Sequence, residues 1–171
     1  FNNNNSYLGG IFTATNRNLD GKFDYLHKSA YTGGVDFKHQ WKNRNYFIEG
    51  NMIMSTVSGS VTAIERTQRS LTHLFQRVDA GHVNVDPTKT SLTGTGGKFV
   101  FGKSGGGNWR YTGAFAWRSP ELELNDVGFL RQADELFQYA DIRYQTLKPT
   151  KLFRSAFVKL EQTTNYDFDG N

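Results

Sequence analysis

Hydrophobic and polar residues alternate along much of this chain with a period of two, instead of the period of about 3.6 that an α-helix shows. In residues 31–41, aromatic, aliphatic, histidine or glycine positions alternate with polar or glycine positions. Residues 45–55 and 108–117 follow the same rhythm, with Phe47 and Ile53 as exceptions. This alternation predicts β-strands with one apolar and one polar face. Further strands are predicted at residues 6–16, 91–103, 136–147 and 151–165, which makes about seven.

The predicted strands are joined by connections that alternate between short and long. Short ones lie at residues 42–44, 104–107 and 148–150, and long ones at about 17–30, 57–90 and 118–135. Transmembrane β-barrels have short turns at one end and longer loops at the other, and their aromatic residues form girdles at the membrane interfaces. Aromatic residues next to the short turns are Trp41, Tyr46, Trp109, Tyr111, Tyr144 and Phe153. A soluble β-sandwich or a lipocalin-like barrel is the alternative, because its strands alternate too.

The composition is rich in aromatic residues but poor in aliphatic ones. Aromatic residues make up 15% of the chain, yet all of AVILMFWYC together reach only 37%, whereas globular domains approach about half when glycine is included. An apolar outer band around a polar lumen would explain both values. The predicted fold class is therefore all-β, an antiparallel transmembrane β-barrel. Its interior would be lined by Asp36, Lys38, Glu49, Asn51, Arg110 and Thr112.

The connection at residues 57–90 contains one stretch with helical character. Thr62 and Glu65 have the spacing of a capping box, and apolar residues from Ile64 to Val78 then recur near helical spacing. Residues 79–81 would end the helix. The sequence predicts one short helix in a long external loop, either folded over the lumen or packed on neighbouring loops.

Charge and residue types exclude several classes of function. The net charge is +4 and the basic residues are scattered among acidic ones, so we expect no nucleic-acid partner. The chain has no cysteine, and its four histidines lack the spacing of metal ligands. Residues 104–107 lack the lysine and the following helix of a phosphate-binding loop, so they predict a hairpin turn. We expect no cofactor and no metal.

Four acidic residues, Glu121, Glu123, Asp126 and Asp134, lie close together in the connection at residues 118–135, and such a group suggests chemistry. Glu121 and Glu123 would share one face of an extended chain. Paired carboxylates suit glycoside hydrolysis or, with an amide oxygen, a calcium site, but neither motif is present. The alternative is a structural loop whose acids pair with Arg118 and Arg131. We predict no catalytic residue; the candidate substrate-binding residues are Glu121, Glu123, Asn125, Asp126, Arg131 and Asp134.

Several motifs together are similar to those of one family. They occupy residues 13–17, 75–80, 90–94, 102–109 and 119–134, and the run Asn-Asp-x-Gly-Phe-Leu-Arg within the last is the most specific. One departure is Val78, where the family tends to have proline. On these motifs the chain resembles a domain of unknown function that forms a β-barrel downstream of a carbohydrate-binding family 9-like domain, in outer-membrane proteins of Bacteroidetes-type bacteria.

The resemblance implies that residues 1–171 are part of a single barrel domain in a bacterial outer membrane. The upstream sugar-binding-like domain and the remaining strands would then be absent from this chain. An odd strand number agrees with that expectation, because bacterial single-chain barrels have even numbers.

The predicted function is to bind or pass a solute, which the resemblance suggests is related to glycans. A surface-exposed polysaccharide hydrolase and a barrel anchor or scaffold subunit of an envelope complex are the alternatives, and a non-enzymatic role is favoured. The expected partners are outer-membrane lipid, a glycan ligand and other envelope proteins.

Overall fold

The computed structural model describes residues 1–171 as one seven-stranded antiparallel sheet with a single α-helix. The strands follow chain order across the sheet, so each pairs only with its neighbours in sequence, and β1 does not pair with β7. The strands are β1 Ser6–Asn16, β2 His27–Trp41, β3 Tyr46–Gly59, β4 Ser91–Lys103, β5 Trp109–Arg118, β6 Glu135–Thr146 and β7 Ala156–Tyr166. The helix α1 is Val61–Gln68, and a 3-10 turn lies at Gly21–Phe23. The predicted all-β, antiparallel fold with one short helix is confirmed; the sheet is open.

Three strand boundaries differ from the sequence prediction by more than one residue. β2 begins at His27 instead of residue 31, β3 ends at Gly59 instead of residue 55, and β7 begins at Ala156 instead of residue 151. The connection between β6 and β7, predicted as the third short one, is therefore longer than predicted. Local hydrogen bonds explain its length, because the Thr150 hydroxyl accepts from the amides of Leu152 and Phe153 at 3.3 and 3.2 Å and holds the chain in a turn.

The sheet has one apolar and one polar face, as the alternation predicts. Directly opposed residues of neighbouring strands share a face. One such row contains Val35 and Met52, and the next contains Asp36 and Asn51. We call the first side the apolar face and the second the polar face. The residues predicted to line an interior all lie on the polar face: Asp36, Lys38, Glu49, Asn51, Arg110 and Thr112.

Only the polar face is covered, and only at the end where the long connections meet. Buried residues number 23 of 171, so the core is small. One buried cluster joins Ile64 of α1 to Ala30, Val57 and Leu92 of three strands. A second joins Leu122, Leu130 and Ala133 of the β5–β6 connection. Ile53 packs against the second cluster, which explains why its strand breaks the alternation there.

The helix is shorter than predicted and begins at a different cap. Its N-cap is Ser60, whose Oγ accepts from the Ala63 amide at 3.1 Å, so the predicted cap at Thr62 is wrong. The helix ends at Gln68 instead of continuing to Val78. Gln68 binds both backbone groups of Asp86, which fixes the end of the helix. Further on, Leu74 has a left-handed φ of 51°, which is incompatible with a right-handed helix that continues to Val78. No helix in the protein has the length and apolar character needed to cross a membrane.

Candidate functional site

The three long connections lie together at one end of the sheet, because a meander places every second connection at the same end. We call residues 17–26, 60–90 and 119–134 the loop layer. This layer lies so close to the sheet that Gly94 of β4 has no room for a side chain. A Cβ atom there would lie 2.1 Å from the Leu122 nitrogen. The backbone of the loop thus rests directly on the backbone of the strand.

Glu123 is buried in the loop layer against His73. The Glu123 Oε2 lies 3.0 Å from His73 Nε2, and the two side chains are 6% and 0% exposed. The other ring nitrogen, Nδ1, donates to the Pro120 carbonyl at 2.7 Å. Both ring nitrogens therefore face acceptor oxygens when Glu123 is ionised. Burial acts to raise the pKa of Glu123, but the hydrogen bonds from His73 and the Asn125 amide outweigh it and lower the pKa overall.

Asp126 joins the loop at residues 119–134 to the start of β2. Its Oδ1 lies 2.6 Å from Arg17 Nη1, and its Oδ2 binds His27 Nδ1. The other nitrogen of His27, Nε2, lies 2.7 Å from the hydroxyl of Thr67 on α1. Burial again acts to raise the pKa of Asp126, and the His27 and Arg17 contacts lower it below its ordinary value. Asp126 therefore connects two parts of the loop layer directly, through Arg17, and reaches the third through His27 and Thr67.

Asp134 and Glu121 make similar connections. The buried Asp134 carboxylate binds Arg77 at 2.8 Å and His82 at 2.9 Å. Glu121 binds Lys89 at 2.5 Å. Each of these pairs links the loop at residues 119–134 to the connection at residues 60–90.

Asn125 and Arg131 behave differently from the acids. Asn125 closes a turn, because its Oδ1 accepts from the Leu130 amide at 2.8 Å. Arg131 is exposed and lines an open cleft of about 480 Å³ with Arg118 and Glu135. The structure therefore brings Glu121, Glu123, Asn125, Asp126 and Asp134 into internal contacts of the loop layer and leaves Arg131 outside them.

The prediction that the loop acids pair with Arg118 and Arg131 is wrong. Arg118 pairs with Glu135, at the start of the next strand, and Arg131 has no ion pair. The acids instead pair with cations from other loops, namely Arg17, Arg77 and Lys89, and with three histidines. The reason is topological: the meander brings the other long connections nearer to the acids than their own neighbours in sequence.

Sequence reasoning missed the histidines. His27, His73 and His82 show no informative spacing in the sequence, yet each binds a different acid of the loop at residues 119–134. The available signal was the presence of histidines and acids in the same set of long connections. Their spacing along the chain carries no information about pairing, because the partners His73 and Glu123 are 50 residues apart.

The arrangement suits holding the loops in place better than acid catalysis. A general acid needs a raised pKa, whereas the pKa values of Glu123 and Asp126 are lowered and both groups are already hydrogen-bonded. A polar cleft of about 200 Å³ lies beside Asp126 and Asn125. No three acidic or histidine side chains form a cluster that could hold a metal ion. The alternative function as a polysaccharide hydrolase stays a prediction, and the ion pairs of the loop acids do not favour it.

Acid is expected to loosen the loop layer before it affects the strands. The folded-state pKa values of Glu123 and Asp126 are lowered. The stability that these carboxylates contribute is therefore fully present above their ordinary pKa values of about 4, and it is lost as the pH falls through their lower folded-state pKa values. The facing side chains of Arg17, His27 and His73 then lose their carboxylate partners.

Hydrogen exchange of the loop amides, corrected for the intrinsic effect of pH, measures this loosening. The variant that combines Glu123→Gln with Asp126→Asn serves as the control, because it lacks both titrating groups. Its loop amides are expected to show a flatter dependence on pH. Equal acid sensitivity in the parent and this variant would contradict the assignment of the acid response to Glu123 and Asp126.

Comparison with known proteins gives one match. A family described as Domain of unknown function (DUF5916) matches residues 1–171. No curated protein and no solved structure matches the chain significantly. The predicted resemblance to a domain of unknown function is therefore confirmed. The carbohydrate-binding-like domain expected upstream of it stays a prediction. The chain belongs to the DUF5916 family.

Proposed function

We propose that this chain forms part of an antiparallel transmembrane β-barrel in a bacterial outer membrane, which binds or passes a solute along its polar face. One observation carries the proposal: the loop layer covers the polar face, and the apolar face is left uncovered. A soluble antiparallel sheet with one covered face buries its apolar side. The reversed arrangement is the one that suits contact with lipid.

The extent of the exposed apolar surface supports this proposal. Val35 and Met52 lie opposite each other on β2 and β3 and are 54% and 49% exposed. Further exposed apolar residues continue on the same face across the sheet, among them Phe101, Phe115, Ile142 and Leu160. Soluble monomers rarely expose a continuous apolar patch larger than a few hundred Å². Lipid would remove this surface from water.

Aromatic pairs at the short-turn end of the apolar face fit a membrane interface. Trp41 and Tyr46 stack with ring centroids 5.7 Å apart, and Trp109 and Tyr144 meet at 5.0 Å. The ammonium group of Lys103 lies 5.6 Å from the centre of the Tyr46 ring. Aromatic rings with polar groups prefer the headgroup region, and lysines nearby reach toward water. These pairs would mark one boundary of the hydrocarbon layer.

A membrane barrel requires that the two free edges of the sheet be paired. β1 and β7 each have one edge without a strand partner. Unpaired backbone groups are costly in a bilayer because no water is there to bind them. The proposal therefore includes further strands that pair with β1 and β7 and close the sheet. A glycan as the solute, and envelope proteins as partners, remain part of the proposal that only the family resemblance suggests.

Lipid contact is expected at Met52 and not at its neighbour Asn51. Both side chains are exposed, and they lie on opposite faces of the sheet. These 171 residues contain no cysteine, so a single cysteine at either position can carry a fluorescent label. In the intact protein reconstituted into vesicles, brominated acyl chains are expected to quench a label on Met52→Cys strongly and a label on Asn51→Cys weakly.

The pair of labels controls for insertion itself, since both report on the same strand at nearly the same depth. A second pair, Val35→Cys and Asp36→Cys, repeats the comparison on β2. Equal quenching on the two faces, or none at either, would refute the membrane assignment.

A further inference from the structure

Three cations lie directly opposite one another on the polar face, away from the loop layer. Arg110 of β5 is opposed to Arg143 of β6, and Arg143 is opposed to Lys159 of β7. Like charges in directly opposed positions destabilise a sheet. Lys103, which by register belongs to the apolar face at the end of β4, adds a fourth cation at the rim of the same cleft. Asp141 is the one acidic residue of the same lining, so the cations outnumber the carboxylates there and a bound group of negative charge would explain the excess.

The four cations line one open cleft of about 430 Å³. No hydrophobic residue lines it; Ser104, Thr112 and Gln145 add neutral hydrogen-bonding groups, and Asp141 adds one carboxylate. The cleft is therefore large enough for a small organic or inorganic anion together with water. Its lining offers hydrogen bonds and charge but no surface for an apolar ligand.

Arg143 is the cation whose charge is least compensated. Lys159 has an ion pair with Glu161, and Arg110 donates to the carbonyls of Gly107 and Trp109 at 2.9 Å. Arg143 has no ion pair; its guanidinium lies 4.2 Å from the centre of the Phe157 ring, and its Nε is buried without a hydrogen-bond acceptor. The ring holds the guanidinium in place while its charge stays available.

We propose that this cleft binds a small soluble oxyanion through a phosphate or carboxylate group held by Arg143 and Arg110. A guanidinium matches such a group with two parallel hydrogen bonds. The inference rests on the proposed function in taking the polar face as the face that solute reaches, and it names the class of that solute. A soluble anion is assigned instead of a lipid headgroup because the cleft lies on the face opposite to the one assigned to lipid.

Inorganic phosphate and succinate are the probes. The intact protein, in nanodiscs of zwitterionic lipid at low ionic strength, is titrated with each probe by calorimetry. Binding is expected, and it is expected to weaken as salt is added. Arg143→Gln is expected to weaken binding about tenfold or more. Arg143→Lys is expected to weaken it less, because lysine keeps the charge but cannot form the two parallel hydrogen bonds of a guanidinium. Lys151→Gln removes the same charge from the neighbouring connection and is expected to bind as the parent does.

Thermal unfolding separates loss of binding from failure to fold. Without anion, Arg143→Gln is expected to unfold at the same temperature as the parent or higher, because it relieves the like-charge opposition. Phosphate is expected to raise the unfolding temperature of the parent but not of the variant. Equal affinity in parent and Arg143→Gln, or equal loss in Lys151→Gln, would overturn the proposal. Binding that requires anionic lipid in the nanodisc would also overturn it, by making the ligand a headgroup.

Lipid quenching at the Met52 label, measured on the same preparation, keeps the two proposals apart. Quenching without binding of phosphate or succinate refutes the anion site alone. Binding that depends on Arg143 without quenching supports the anion site and refutes the membrane assignment.

Discussion

Replacing His73 by leucine is expected to destabilise the loop layer by about 3–5 kcal/mol, because it leaves Glu123 as a buried carboxylate without its partner. The pair is almost completely buried, so water cannot replace the lost hydrogen bond. The change also removes the donor to the Pro120 carbonyl. The free energy of opening, taken from hydrogen exchange of the Asn125 and Leu130 amides, measures the effect.

Two further variants test the physical reason. Adding Glu123→Gln to His73→Leu is expected to restore part of the loss, since it removes the unpaired charge. Arg69→Leu breaks the exposed pair with Glu65 on α1 and is expected to change little. If His73→Leu has no more effect than Arg69→Leu, the buried pair does not hold the loops.

Replacing Gly94 by alanine is expected to lift the loop at residues 119–134 off the sheet. The new Cβ would lie 2.1 Å from the Leu122 nitrogen and 2.4 Å from its Cα, and backbone atoms cannot yield as a flexible side chain can. Overpacking of a well-packed region costs about 1–3 kcal/mol, and displacement of Leu122 adds the loss of its burial. The rate of limited proteolysis within the loop is expected to rise, while lipid quenching at Met52 stays unchanged.

Gly33 provides a matched control on β2, also within the sheet. A Cβ there would meet only Phe12 Cδ2, at 3.7 Å, which is an ordinary contact. Gly33→Ala is therefore expected to leave proteolysis of the loop as it is. Similar proteolysis in Gly33→Ala and Gly94→Ala would show that the loop does not depend on the close approach.

The strands could be predicted from the sequence because their signal is local. β1 and β4 have the predicted bounds, and the alternation assigns Asp36 and Asn51 to one face without any knowledge of the neighbouring strands. The end of α1 could not be predicted in this way. It depends on Asp86, far along the chain, which binds the side chain of Gln68.

The candidate site was predictable only in part, for the same reason. Its acids stand out in the sequence because they are concentrated in one connection. Their partners come from other connections, so the pairing of Glu123 with His73 exists only once the meander has formed. Which cations compensate which acids is a property of the fold and not of the local pattern.

The order of the strands also determines how the sheet can grow. Because every strand pairs with the one before it, each pairing step closes only the connection between two consecutive strands. The β3–β4 step, across residues 60–90, closes the longest of these and carries the largest entropic cost. Burial of Ile64 beside Val57 and Leu92 offsets part of this cost at the same step. We therefore expect the hairpin of β2 and β3 to form early, and the docking of α1 to set the pace at which β4 and the later strands follow.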